Sequence, residues 1–250
     1  MNLVKIKNLK KSYKTHSVLK GIDLNINAGE IFGILGPNGA GKTTMLEIVE
    51  TIKDFDKGEI IIDGLDIKKE KEKIRKIIGV QLQEGGFYPS LSLEQTINQF
   101  AGIYNIKVDS NNLLNRVELL DKKDSKVEEL SGGQRQRFSI VIAIINNPKI
   151  LFLDEPSTGL DPYARRETWK LIKDIKKSGT TIVLTTHYME EAEQLCDRVA
   201  IMNKGQILKV DTPEKMINDI LKDGFKKEEK LNLANLEDVF FSLTGKLISD

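Results

Sequence analysis

The sequence predicts an α/β fold wound around a phosphate-binding loop, and three observations carry that prediction. An apolar run, Ile31-Phe32-Gly33-Ile34-Leu35, passes directly into Gly36-Pro37-Asn38-Gly39-Ala40-Gly41-Lys42-Thr43-Thr44. Helix-compatible residues, Met45 to Glu50, follow. Gly, four residues and Gly-Lys-Thr thus lie between a strand and a helix, as the phosphate-loop pattern requires. Strand and helix patterns alternate again from residue 150, the mark of a sheet with helices packed on it.

Within the loop, Gly39 and Gly41 lack Cβ atoms, so the backbone can turn tightly and point successive N–H groups into one concavity. A helix beginning near Lys42 adds its positive N-terminal end to the same anion site. Lys42 then reaches the β- and γ-phosphates of a nucleoside triphosphate, and the Thr43 hydroxyl ligates Mg²⁺. The competing reading is a glycine turn that binds nothing. The strand before the loop and the helix after it favour the ligand.

Along the chain, Val4 and Ile6 begin a first strand, ahead of a turn-prone segment from Lys10 to His16. Ile22-Asp23-Leu24-Asn25-Ile26 alternates as a second strand and turns at Ala28-Gly29-Glu30 into the strand before the loop. Tyr13 reads either as a strand-end aromatic or as a ring folded back to stack on a nucleotide base. After the loop helix, Gly58 to Gly64 is a short strand closed by a turn. Asp66 to Lys76 mixes both charge signs at helical spacing, as a solvated helix face does, and Ile77 to Leu82 is a further strand. From about Ser92 to Leu130 apolar residues recur at helical spacing, with Asp109-Ser110 and Asp124-Ser125 as helix starts. The alternation resumes with strands at Ile150–Leu153 and Thr181–Thr186 and helices at Ala164–Lys177 and Met189–Cys196. A strand pair then turns at Lys204-Gly205. The tail from Lys222 opens with a Lys/Glu cluster and carries Leu231, Leu233, Leu236, Val239, Phe240, Phe241 and Leu243, as a small docking element would.

Composition narrows the partners. With 38 Lys+Arg against 37 Asp+Glu the net charge is +1, so no global field draws the chain to nucleic acid or anionic lipid. One cysteine, Cys196, and two histidines leave no intramolecular disulfide and no zinc cluster. No apolar run approaches the ~20 residues of a membrane-spanning helix. Met1 to Lys7 is too polar for a secretory leader. A cytoplasmic chain is expected, and such a chain can still serve a membrane partner.

Two further stretches carry chemistry. Ile150-Leu151-Phe152-Leu153-Asp154-Glu155 is a buried strand delivering two carboxylates at its C-terminal edge, where open α/β sheets bind ligands. Asp154 is expected to hold Mg²⁺ through its water shell; Glu155, pointing the other way, acts as general base on the attacking water. In Leu130-Ser131-Gly132-Gly133-Gln134, Ser131 is a natural N-cap with Gln134 at capping-box spacing. This makes a second helix N-terminus with flexible backbone donors, hence a second anion site; read alone, it is a well-capped helix.

The loop, Leu-Ser-Gly-Gly-Gln-Arg-Gln-Arg at 130–137, Leu-Asp-Glu-Pro at 153–156, Gly-Leu-Asp at 159–161 and Thr-Thr-His at 185–187 occur in the order of the ATP-binding cassette (ABC) family. The chain resembles that family over residues 1 to 245. The resemblance implies an ATPase with a RecA-like core, an N-terminal antiparallel β subdomain and a helical insertion. The cassette would span 1–222, with β subdomain and core at roughly 1–83 and 138–222, the helical part at 84–137 and a short extension at 223–250. It also implies a head-to-tail homo- or heterodimer. Each ATP would lie between residues 36–44 of one chain and Ser131, Gly132, Gly133 and Gln134 of the other. Ser131 and Gly133 would contact the γ-phosphate across the interface, and Asp161 would belong to the loop that crosses the seam. Gln83 would sense Mg²⁺ and the attacking water, with Gln81 the less well aligned alternative. His187 would hydrogen-bond the γ-phosphate and position Glu155, and Tyr13 would stack on the adenine.

Three phrases are similar to the ATP-binding subunits of bacterial daunorubicin- and multidrug-type exporters. These are Asp161 to Arg166, Thr185 to Glu193, and Leu236 to Gly245. The likeness implies a separate membrane permease, which would hold the chain peripherally at the inner face of the cell membrane. Its footprint would lie near Gln83–Leu91, with Phe87 and Tyr88 either exposed anchors or core residues. No direct nucleic acid binding is expected. A soluble cassette ATPase of translation or DNA repair, and an importer ATPase, share the chemistry. The single cassette, the short helical insertion and the lack of basic excess count against the first, and the export-like phrases against the second.

Overall fold

Alternation along Asn2–Tyr13 (β1) and His16–Asn27 (β2) buries Val4, Ile6, Leu9, Leu19, Ile22, Leu24 and Ile26 on one face and turns Lys5, Lys7 and Lys10 outward. This computed structural model describes residues 2–81 and 86–222, Val239, and residues 242–243. In it β1 runs through the segment expected to turn. Only Lys14-Thr15 turn, Lys14 takes φ 54°, and Tyr13 pairs with His16. The strand is favoured because a long hairpin satisfies backbone groups that an open turn would leave to water. Lys57–Ile62 (β4) pairs antiparallel with β1 and with Leu65–Asp66 (β5), completing a sheet of order β2-β1-β4-β5.

Ile31–Leu35 (β3) is buried throughout and lies inside a second sheet with Ile78–Val80 (β6), Ile150–Asp154 (β7), Thr181–Thr186 (β8), Arg198–Asn203 (β9) and Gln206–Asp211 (β10). The order is β10-β9-β3-β8-β7-β6, parallel except for the β9–β10 pair. Helix Lys42–Val49 (α1) follows the loop and fills the space toward the first sheet. Met45, Leu46, Ile48 and Val49 pack there with Phe32, Ile34, Ile60 and Phe152. The opposite face of the second sheet, through Leu35, Leu151, Leu153 and Leu184, packs against Pro162–Lys177 (α6) and Met189–Leu195 (α7), and the same core runs on into Gly132–Ala143 (α5) and Leu93–Ile103 (α3). Sheets covered on both faces need strands apolar on both, which is why β3 and β7 read as unbroken apolar runs.

Several element boundaries differ from expectation. The mixed-charge stretch from Asp66 becomes helical only at Lys71–Ile77 (α2), because Leu65–Asp66 pairs with β4 and the residues that reach the core, Ile74 and Ile77, both fall after it. Asp109 caps Ser110–Asn115 (α4) by accepting from Asn112 N at 3.1 Å. Asp124-Ser125 starts no helix; the chain there makes 3₁₀ turns at Leu120–Lys122 and Val127–Glu129. Pro213–Lys222 (α8) ends the continuously described part of the chain. Val239 is buried in the core, whereas Leu243, also expected to dock, is exposed; Leu231, Leu233, Leu236, Phe240 and Phe241 lie outside the described residues.

The expected β9–β10 turn has a use that the sequence did not announce. Gly205 N donates to Ala40 O of the loop at 3.0 Å, and Gly205 O accepts from Lys20 N of β2 at 2.9 Å. Gly205 has φ 80°, and a Cβ there would stand 2.1 Å from Val18 O. Gly205→Ala is therefore expected to cost about 1–3 kcal/mol of strain and to weaken nucleotide binding, whereas Lys204→Ala should leave both near wild type. Thermal unfolding and nucleotide titration of the two variants check this.

Candidate functional site

β3, β8 and β7 lie side by side in parallel register, with Leu35 opposite Thr186 and Thr185 opposite Asp154. The residues that follow each strand therefore emerge together at one C-terminal edge: the loop from Gly36, Glu155, and His187.

Gly39 and Gly41 take φ 79° and 104°, the left-handed region that the tight turn demands. Gly36 is small for another reason, since a Cβ would lie 2.2 Å from Met202 O at the end of β9. α1 has no side-chain cap, which leaves the N–H groups of Lys42, Thr43 and Thr44 available to an anion. Lys42 is buried in this concavity. Its Nζ donates to Gly36 O at 2.8 Å and Pro37 O at 3.3 Å, and lies 3.8 Å from Glu155 Oε1. Burial pulls its ammonium below the ordinary lysine value, against the raising influence of Glu155 and Asp154.

Asp154 is held by hydroxyls on both sides. Thr43 Oγ1 donates to Oδ2 at 3.2 Å, and the Thr185 hydroxyl donates to Oδ1. The same Thr185 oxygen accepts from Glu155 N at 3.1 Å. Glu155 has φ 49° directly before Pro156, a conformation that costs a non-glycine residue about 1–3 kcal/mol. The bonds to Thr185 and the Thr158 hydroxyl, which donates to Oε2 at 3.2 Å, hold it there. His187 Nδ1 stands 3.2 Å from Glu155 Oε2, at ion-pair distance but off the hydrogen-bond direction. Its ring leans on Tyr188, centroids 4.2 Å apart. As for a metal, no group of three or more His, Cys, Asp or Glu suited to one occurs among the described residues. One hydroxyl and one carboxylate, both hard oxygen donors, suit Mg²⁺, which keeps water and phosphate as its other ligands.

The other expected site residues lie apart. Ser131 and Gln134 form the capping box, Gln134 N donating to Ser131 Oγ at 3.3 Å and Ser131 N to Gln134 Oε1 at 3.0 Å. Gly133 lets α5 approach α6, where an added Cβ would stand 2.5 Å from Ala164 Cβ. A Cβ added at Gly132 would meet nothing within 4 Å beyond its own helix backbone and chain neighbours. Among the described residues no hydrogen bond joins 131–134 to loop 36–44. Asp161 caps α6, accepting from Ala164 N and Tyr163 N at 2.9 Å, and these bonds hold its carboxyl below the ordinary value. Tyr13 stands exposed at the hairpin tip, with Lys11 and Lys53 ammoniums 5.2 and 5.9 Å from its ring centre. Phe87 packs against Phe100 and Phe138, while Tyr88 is 62% exposed, so the pair divides between core and surface. Gln83 lies outside the described residues.

A family model described as ABC transporter matches residues 19–158, more than half of the chain. The chain is 34% identical over 215 residues to the linearmycin resistance ATP-binding protein LnrL of Bacillus subtilis, covering 84% of this chain and 69% of that protein. It is 36% identical to the daunorubicin resistance ATP-binding protein DrrA3 of Streptomyces coeruleorubidus, covering 82% and 67%. It is 34% identical to the Nod factor export ATP-binding protein I of Rhizobium etli, covering 88% and 72%. Among solved structures it is similar to an ATP-binding subunit of an ABC transporter, with TM-score 0.82, 26% identity, and 97% and 99% of the two chains covered. It is also similar to a dimeric ATP-binding cassette in a post-hydrolysis state with ADP and Pi, with TM-score 0.75, 31% identity, and 84% and 98% covered.

Sequence reasoning gave no role to Thr185, Thr158 or Glu50. Thr185 gains its role from the β7–β8 register, which no local spacing announces; Glu50 was hidden too, because nothing local says that the end of α1 turns a carboxylate inward. Burial, with the negative charges of Asp154 and Glu47, raises the Glu50 pKa to about 8 from an ordinary 4.5. A folded value above the unfolded one means that stabilisation is complete below about 4.5 and is lost as pH rises through about 8. Nucleotide-free protein is expected to melt lower at pH 9 than at pH 6, and Glu50→Gln to remove part of that fall, as thermal unfolding at the two pH values will read.

Proposed function

The chain belongs to the ABC transporter family, and on that premise we propose that it is the ATP-hydrolysing subunit of an exporter, working through a separate permease. The observation that carries this reading is the convergence of Lys42, Thr43, Asp154, Glu155 and His187 on three adjacent strand ends. In this reading the backbone from Gly36 to Thr44 cradles the phosphates, and Lys42 turns from its loop carbonyls to the β- and γ-oxygens. Glu155 accepts the proton of the attacking water, and His187 holds Glu155 and meets the γ-phosphate. Thr43, Asp154 and Gln83 would hold Mg²⁺, which would supply positive charge to offset that of the phosphates. Tyr13 stacks on the adenine.

Two anion-receptive helix ends that do not meet within one chain support a head-to-tail dimer. Ser131, Gly132, Gly133 and Gln134 of a second copy would then close over the γ-phosphate, with Asp161 at the seam. Gly132 fits this, since nothing among the described residues of its own chain requires a missing side chain there. The dimeric relative with ADP and Pi lends support. Resistance to linearmycin and daunorubicin and export of Nod factor, in the names of three relatives, support outward transport. No helix among the described residues is long and apolar enough to cross a membrane. The permease of this reading docks at the cytoplasmic face near Tyr88. Residues 84–137 form the helical subdomain, between the core and β subdomain at 1–83 and 138–222, and 223–250 an extension. This division is supported by a stretch from Ser92 to Leu130 built of helices and turns, with one isolated bridge from Ser92 to Lys126.

Glu155→Gln is expected to lower ATP turnover about 10²–10⁴-fold, to leave ATP binding intact and to trap an ATP-bound dimer. Steady-state turnover and size-exclusion chromatography with ATP test this; near wild-type turnover would remove Glu155 from the general-base role. Lys42→Ala loses a charge-assisted phosphate contact of about 1.5–3 kcal/mol. ATP affinity should fall correspondingly in calorimetry, and an unchanged affinity would contradict the assignment.

A further inference from the structure

Glu191 is completely buried on α7, one helical turn beyond His187. Its Oε1 accepts from Ser157 Oγ at 2.7 Å and from Trp169 Nε1 at 3.0 Å. Ser157, 1% exposed, sits in the turn that leaves Glu155. There Thr158 N donates to Glu155 O at 3.2 Å and Leu160 N to Ser157 O at 3.3 Å. Trp169 belongs to α6, the helix that Asp161 caps. Upstream of α7, Tyr188 N donates to Thr186 Oγ1 at 2.9 Å, so the short connection through His187 is held at both ends. Burial pushes the Glu191 carboxyl up from its ordinary value, against its hydrogen bonds and the nearby Arg165 charge. If packing were its only role, an apolar side chain of similar volume would serve as well or better. A buried acceptor that joins two chain segments sets their relative position instead.

We propose that Glu191 is a positioning residue for hydrolysis, a clamp that ties the Glu155–Asp161 turn to the His187 connection and so sets the separation of Glu155 from His187. The proposal rests on the roles given above to those two residues. It assigns Glu191 no contact with nucleotide. Its loss should act on turnover and spare binding, because Lys42 and the loop are held by a different set of bonds.

Three variants of the full chain test this by steady-state ATP hydrolysis with Mg²⁺ and by ATP titration. Glu191→Ala and Ser157→Ala are expected to lower kcat about tenfold or more, since small misplacements of a catalytic group carry penalties of that order, with the ATP KM and Kd within about threefold of wild type. Glu191→Gln, whose amide oxygen can still accept both bonds, should recover most of the kcat. Trp169 is the single tryptophan, so its emission reads the clamp directly. It should shift in Glu191→Ala and stay near wild type in Ser157→Ala, which leaves the Trp169 bond in place. Ser157→Ala decides the matter if Glu191→Ala does not fold. Unchanged kcat in Ser157→Ala overturns the clamp, as does a loss of ATP affinity that matches the loss of turnover. A wild-type chain without Mg²⁺-dependent ATPase activity, or a Glu155→Gln variant as active as wild type, overturns the underlying assignment and the clamp with it.

Discussion

Evenly spaced, slanted hydrogen bonds hold β3, β8 and β7 in parallel register, with Leu35 beside Thr186 and Thr185 beside Asp154. Because the strands run the same way, their C-terminal ends share one edge. Residues 36, 155 and 187 become neighbours there. A slip of one residue in either pairing would exchange the side chains packed against the two buried faces, so close packing on both faces enforces the register. The chemistry of the site is in this sense a product of the packing beneath it.

Charge at the edge is unbalanced. One buried cation, Lys42, faces Asp154 and Glu155, and Glu50 adds a further acid that burial favours in its neutral form. Opposite charges in low dielectric attract strongly, but desolvating them costs a comparable amount. An arrangement with surplus carboxylate is best satisfied by a cation from outside, and Thr43 with Asp154 supplies oxygens of the kind Mg²⁺ accepts. Phosphates need the reverse, and they find it a few residues away in the N–H groups that open α1.

Rigid supports keep both parts in place. From behind, the β9–β10 turn fastens the loop through Ala40. Thr185 holds Glu155 in a backbone conformation that it would not adopt alone. Glu191 reaches from the far side to the turn after Glu155. Each of these supports is a hydrogen bond between segments distant in the chain.

The sequence by itself determined the local chemistry. Loop glycines, the Lys42-Thr43 pair, the Asp154-Glu155 carboxylates and the Ser131–Gln134 capping box were all readable, because spacing within a few residues sets each of them. Strand and helix existence was readable for the same reason wherever the apolar period was long. Boundaries were not: β1 ran on through a turn-prone segment once β2 and β4 could pair with it, and Asp124-Ser125 lost its helix to 3₁₀ turns. Only the tertiary structure decided that Thr185 would bond Asp154, that Gly205 would brace the loop, that Phe87 would pack inward while Tyr88 stayed out, and that Glu50 and Glu191 would be buried. Each of these depends on which elements lie next to one another, and pairing between distant segments leaves no period in the sequence of either partner.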